Sequence, residues 1–161
     1  MGQKLRTVLW FDGGLDEAAD FYVGTFPDSS RKAAIAAPMD FPSGDEGDPL
    51  VLDLVICGRD FQLLNGGDAG FAPNMATSFM VETEDQEDTD RIWDAILAAG
   101  GKAVQCGWIT DPYGYSWQVI PRLLNETLAG GGTAAKRAFE AMMPMVKIDV
   151  ATIEAAIHGG R

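Results

Sequence analysis

Gln118, Asn65 and Asp111 are the polar side chains that stand out within otherwise apolar or turn-forming segments. An amide or carboxylate so placed either satisfies backbone groups or polarises an oxygen of a bound molecule. Gln118 falls inside the strand-like run Ser116-Trp117-Gln118-Val119-Ile120, where a neighbouring side chain or a ligand must answer its amide. Asn65 precedes Gly66-Gly67 and Asp111 precedes Pro112, so turn formation is the simpler reading for both. Metal chemistry is short of donors, because His158 is the one histidine and the two cysteines, Cys57 and Cys106, form no CxxC pair. Cys57 closes an apolar run and reads as a small buried hydrophobe, and Cys106, before Gly107-Trp108, has no histidine at hand to make it a nucleophile. The expected chemistry is hydrogen bonding to a neutral organic ligand, with no metal and no cofactor.

The segments that carry these residues repeat one order. Residues 5–11 are β-branched and aromatic and predict a strand, broken by Asp12-Gly13-Gly14. Across 15–26, Ala18, Phe21, Tyr22, Thr25 and Phe26 recur at helical spacing behind Asp16 and Glu17, which suit a helix N-terminus. A strand over 31–37, an exposed loop over 38–49 and a hairpin of 50–57 with 61–65 about Gly58-Arg59-Asp60 complete the first unit. The second unit opens with a strand at 76–82 and a helix striped by Thr89, Ile92, Trp93, Ile96 and Leu97. Short strands at 102–104, 107–110 and 115–120 follow, the last two joined by the turn Asp111-Pro112-Tyr113-Gly114. Beyond them, a helix at 134–143 is expected, then a final helix capped by Asp149 with Ile148 and Ile153 as its hydrophobic staple. Met142, Met143 and Met145 read as adaptable packing in this region, and Trp10, Trp93, Trp108 and Trp117 as core aromatics, with Trp108 able to wall a pocket.

Composition narrows the partners. With 161 residues and 47% hydrophobic content the chain can bury a sizeable core, and it reads as one domain over 1–161 with module one at about 5–67, module two at about 76–121 and a helical extension at about 122–161. A formal net charge of −12 repels nucleic-acid phosphates and anionic lipid, so neither nucleic acid nor membrane is an expected partner. No run of about 18 apolar residues and no signal-like start is present, and the expected location is cytoplasmic.

The segment Cys106-Gly-Trp-Ile-Thr-Asp-Pro-Tyr-Gly-Tyr-Ser-Trp-Gln-Val-Ile-Pro121 resembles the vicinal-oxygen-chelate pattern, in which a D-P-x-G turn leads into the last strand of a module. Together with Leu9-Trp10-Phe11, Phe21-Tyr22, Leu64-Asn65-Gly66-Gly67, Ser116-Trp117-Gln118 and the segment from Met142-Met143 through Lys147-Ile148-Asp149, it is similar to the PhnB-like branch of that superfamily. The resemblance implies an α+β fold of paired βαβββ modules forming a glyoxalase-like concave sheet, here with added C-terminal helices, and a small homodimer. It places the superfamily's metal-binding Glu at Gln118 and its metal-binding histidines at Thr7 and near Ala76. Members are commonly labelled 3-demethylubiquinone methyltransferases, yet no Gly-x-Gly-x-Gly follows a predicted strand here to hold a methyl donor.

Strand parity then predicts a pocket, because alternate side chains share a face. With Gln118 facing the concave side, Ser116 and Ile120 join it; with Thr7 facing it, so do Leu9 and Phe11, leaving Val8 and Trp10 for the helix-facing core. The same rule turns Ala76, Ser78 and Met80 inward. The expected ligand-binding residues are therefore Thr7, Leu9, Phe11, Asn65, Ser78, Met80, Trp108, Ser116 and Gln118. The expected function is binding of a small, largely neutral organic molecule in a metal-independent cavity. The alternatives are an enzyme, either a divergent catalyst using Gln118 and Asn65 to polarise a substrate oxygen or a methyltransferase, and a structural dimer with a vestigial pocket.

Overall fold

The computed structural model describes residues 5–42 and 44–159. The chain divides into two compact units, Met1–Ala72 and Pro73–Arg161. Each contains a βαβββ module, and the second continues into three helices.

In the first unit β1 (Thr7–Phe11) enters α1 (Leu15–Thr25) through Gly13 and Gly14, both with left-handed φ of 78° and 65°. Pro27 follows the C-cap Phe26 and prevents continuation. β2 (Ser30–Ala36), β3 (Pro49–Ile56) and β4 (Arg59–Asn65) complete a four-stranded sheet in the order β1-β4-β3-β2, with β1 parallel to β4 and the other pairs antiparallel. The hairpin between β3 and β4 is tighter than the sequence suggests. Cys57 and Gly58 alone make the turn, both left-handed at φ 47° and 70°, the conformation whose twist matches paired strands, so Arg59 and Asp60 are already paired within β4. α1 buries Leu15, Ala18, Ala19, Tyr22 and Thr25, and the two alanines let its axis approach the sheet. Tyr22 stacks on Phe26 with centroids 6.3 Å apart, sealing that end of the core.

The second unit repeats the plan with β5 (Ser78–Thr83), α2 (Gln86–Ala98), β6 (Lys102–Ala103), β7 (Trp108–Thr110) and β8 (Ser116–Pro121), in the order β5-β8-β7-β6. The side chain of Asp85 caps α2 by accepting from Asp88 N at 2.9 Å. Thr89, Ile92, Trp93 and Ile96 of the predicted stripe are buried, whereas Leu97 lies at its margin and stays exposed. Thr83 and Thr89 share a hydroxyl hydrogen bond of 2.6 Å inside this core.

Three helices follow: α3 (Arg122–Gly130), α4 (Gly132–Met142) and α5 (Val150–Ile157). The sequence includes α3 in a helical extension over 122–161 but marks no separate helix there. Pro121 ends β8 and also occupies the N-cap position, so strand passes into helix without the loop that would mark the boundary. Asp149 caps α5 as expected, accepting from Thr152 N at 2.7 Å, and Ile148 and Ile153 are both buried in the staple arrangement. Ile120, Leu124, Ala138, Ile148 and Ile153 form one apolar cluster, with Leu123, Leu128, Ala141, Met142, Met145 and Ile157 packed around it.

Candidate functional site

The turn between β7 and β8 sets the site. Asp111 is buried, and its Oδ1 accepts from Tyr113 N at 2.9 Å and Tyr115 N at 3.0 Å while Oδ2 accepts from Trp117 Nε1 at 3.0 Å. Gly114 N donates to Asp111 O at 3.0 Å and closes the turn. The bland reading of Asp111 as a turn former is therefore right, with one addition: the same carboxylate holds Trp117. Because side chains alternate, fixing Trp117 on the α2 side turns Ser116, Gln118 and Ile120 to the opposite face.

Register shows what those residues meet. Ser78, Ser116 and Thr110 form one row across β5, β8 and β7; Met80, Gln118 and Trp108 form the next; Glu82 and Ile120 begin a third. Gln118 Nε2 donates to Ser78 Oγ at 2.8 Å, which fixes the amide. Met80, 51% exposed, and the half-buried Trp108 flank it with apolar surface. Ser116 is 2% exposed and its Oγ has no hydrogen-bond partner among the described residues. A buried hydroxyl left alone costs on the order of 1–3 kcal/mol, so the orphan needs a cause. Of the residues expected here from parity, Ser78, Met80, Trp108, Ser116 and Gln118 share one face, and Ala76 precedes the strand.

In the first unit the expected facing is reversed. Leu9 is 2% exposed and Phe11 is buried, on the row that also holds Thr7, Phe61, Leu63, Asn65, Leu52 and Leu54, the face covered by α1. Val8 and Trp10, assigned from sequence to the helix-facing core, are on the open face, with Trp10 44% exposed. The reason is a one-residue slip: placing Thr7 by its distance from Phe21-Tyr22 misjudges the length of the glycine turn, and a slip of one inverts every side chain of a strand. Arg6, Val8, Trp10, Asp53, Gln62 and Leu64 are the residues this exchange brings to the open face. There Asp53 accepts from Gln62 Nε2 at 2.9 Å and pairs with Arg6 at 3.2 Å. Trp10 donates from Nε1 to Gly67 O at 2.7 Å and lies so close over Gly66 that a Cβ there would stand 2.1 Å from the ring.

Asn65 turns the other way. It is buried, accepts from Gly13 N at 3.0 Å, and so ties the end of β4 to the turn after β1. It also borders a cleft of about 420 Å³ lined by Gly13, Gly14, Asp16, Glu17, Asp45 and Asp48 among others. Four carboxylates against the positive end of α1 favour neither an anion nor a neutral ligand, and the open face of the second sheet is the better site.

A divalent metal of the kind this fold can hold does not suit these residues. Gln118 offers a neutral amide where a carboxylate would be needed, its neighbours are hydroxyl, thioether and indole, and Thr7 points at α1. Among the described residues no three His, Cys, Asp or Glu side chains gather as a metal-binding group.

Two βαβββ modules in one chain define the vicinal-oxygen-chelate, glyoxalase-like class, and solved structures agree. Protein PA1353 from Pseudomonas aeruginosa shares the fold at a TM-score of 0.58 and 17% identity, over 74% of this chain and 98% of that one. The fosfomycin resistance protein FosX of Listeria monocytogenes does so at 0.55 and 12%, over 78% and 98%. Within this class the chain belongs to the family described as 3-demethylubiquinone-9 3-methyltransferase, the PhnB-like family, which matches residues 3–120. The PhnB protein from Bacillus cereus is 27% identical with a TM-score of 0.67, covering 74% of this chain and 99% of its own. No curated protein matches the chain.

Proposed function

We propose that the protein binds a small, largely neutral organic molecule on the open face of the second sheet, without a metal or cofactor. The observation that carries the reading is Ser116 Oγ, buried and unpartnered in the row beside the Gln118 amide that Ser78 holds in place. Binding parts the side chains that enclose Ser116, so that a ligand oxygen satisfies the orphan hydroxyl, a second polar atom meets Gln118, and a ring lies between Met80 and Trp108. Neutral donors and an apolar flank select an uncharged ring bearing oxygen over a carboxylate or a phosphate; Lys102, in register with the first row, lies exposed on β6 beyond Thr110, at the edge of the sheet away from Met80. Thr7, Leu9, Phe11 and Asn65 have no part in this site, because they serve the core under α1. The protein works as a homodimer in the cytoplasm on this reading; exposed Trp10, Val8 and Met80 support self-association. Among the described residues no helix is long and apolar enough to cross a membrane.

Phenol titration followed by amide and indole NMR tests the proposal. Phenol is expected to shift the Trp108 indole and Gln118 side-chain signals, and Gln118→Leu to weaken binding by up to about tenfold, the worth of one neutral hydrogen bond. An absence of shifts at either residue in millimolar phenol refutes the site.

Methyl transfer is the second reading, favoured by the family's description. It requires a methyl-donor site, and saturable binding of S-adenosylmethionine by calorimetry is the result that would favour it over simple binding.

A further inference from the structure

Ile120 lies on the ligand face, two residues beyond Gln118, yet it is only 6% exposed. The helical extension covers it. Leu124 of α3 and Ile148 before α5 pack on Ile120 and close the third row at β8, and Asn125 Nδ2 donates to the exposed Glu82 Oε2 at 2.6 Å, bridging α3 to the same row at β5. The extension is fastened at several independent points. Cys106 N and Gly107 N each donate at 2.8 Å, to Met145 O and Val146 O, adding the chain as backbone pairing beside β7. Gln86 bonds Ile148 O from Nε2 and accepts Val150 N at 2.8 Å, and Lys147 pairs with Asp90 at 2.7 Å and Asp94 at 3.4 Å on α2. Gly107 lets this happen: a Cβ would stand 2.8 Å from Ile120 Cδ1 and 3.1 Å from Ile148 Cγ1. The family match stops at Ile120, the residue that is covered, so the fastened helices lie outside the shared modules.

We infer that residues 122–157 form a fixed end wall on the ligand face and set the length of molecule it accepts. The inference rests on the binding reading above. With the third row closed, two rows remain, separated by about 7 Å at the usual strand rise, across three strands spanning about 10 Å. That area holds one six-membered ring. A hydroxyl at Ser116 and a ring on the Met80–Gln118–Trp108 row direct the para position at Ile120 and the wall behind it.

Phenol and 4-hexylphenol, titrated into the full chain by calorimetry with NMR mapping, separate the outcomes. On an unwalled apolar face each buried methylene strengthens binding by roughly fourfold, so the longer probe would bind tighter. A wall reverses the order: 4-hexylphenol is expected to bind at least about tenfold more weakly than phenol, and Ile148→Ala to bring the two within about threefold. Ile148→Val, which removes a single methyl, gives a partial recovery and carries the test if the Ala variant does not fold. Equal or tighter binding of 4-hexylphenol to the unaltered protein, or an unchanged ratio in the folded variant, overturns the wall while leaving the site intact. Failure of phenol itself to bind removes the site, and the wall with it.

Discussion

Replacing Ser116 by alanine is expected to make the free protein more stable and its ligand binding weaker. The hydroxyl is enclosed by a residue environment of 2% exposure and makes no hydrogen bond among the described residues. Deleting such an orphan recovers its desolvation cost, on the order of 1–3 kcal/mol, less a small loss of packing around the missing oxygen. A net gain of about 1 kcal/mol corresponds to a rise of roughly 2–4 °C in melting temperature for a chain of this size. In the same variant the ligand loses one hydrogen bond, about 0.5–1.5 kcal/mol, and phenol binding falls by up to about tenfold. Urea unfolding and phenol titration on the same samples measure both sides. Loss of stability would mean that Oγ has a partner of its own, such as a held water, and is not an orphan. A gain in stability with phenol affinity unchanged would refute the second step, because the orphan would then be strain unrelated to binding.

Three further perturbations probe the supports of the site. Gly107→Ala combines a left-handed φ of +79° with a Cβ 2.9 Å from Val119 O, whereas Gly100→Ala has φ +104° and nothing within 4 Å; the first is expected to cost about 1–3 kcal/mol more than the second by chemical denaturation, and equal costs would show that the extension yields freely. Asp111→Ala strands two backbone donors and the Trp117 indole and is expected to cost about 3–5 kcal/mol, with Asp111→Asn recovering part of it; a cost below about 1 kcal/mol would show that the turn stands without the carboxylate. The Lys147 pairing makes extension docking pH-dependent. Hydrogen bonding from Lys147, then from Gln86, holds the Asp90 carboxyl below its ordinary range, and Asp90 in turn raises Lys147. The Asp90 contribution is complete above about pH 4 and fades as pH falls through its lowered folded value; the Lys147 contribution is complete below about pH 10.5 and fades as pH rises through its raised one. Both groups are partly exposed, so the effect is about 0.5 kcal/mol, and hydrogen exchange at α5 in Lys147→Met should lose this dependence on the alkaline side and keep on the acid side only the part that Gln86 supplies.

Order and periodicity alone announce most of the architecture. The apolar stripes of α1 and α2, the glycine and proline breaks and the Asp111-Pro112-Tyr113-Gly114 turn are local signals, each readable within a few residues. Local signals also put Ser116 and Gln118 on one face of β8, because the turn that sets their parity is adjacent to them. The first strand failed for the opposite reason. Its facing depends on how far two left-handed glycines swing the chain before α1 begins, and the burial of Leu9 and Phe11 is decided by contact with α1 and β4, not by the strand's own composition, which is apolar on both sides. Asn65 shared that fate, since β4 takes its facing from β1 and β3. Neighbouring residues along the chain suffice for two βαβββ modules, a capped final helix and a neutral amide where the resemblance puts a metal-binding carboxylate. Long-range packing sets which face of β1 is open, buries Ser116 without a partner among the described residues, and covers Ile120 with a distant segment, because each depends on residues far apart in sequence coming within contact distance.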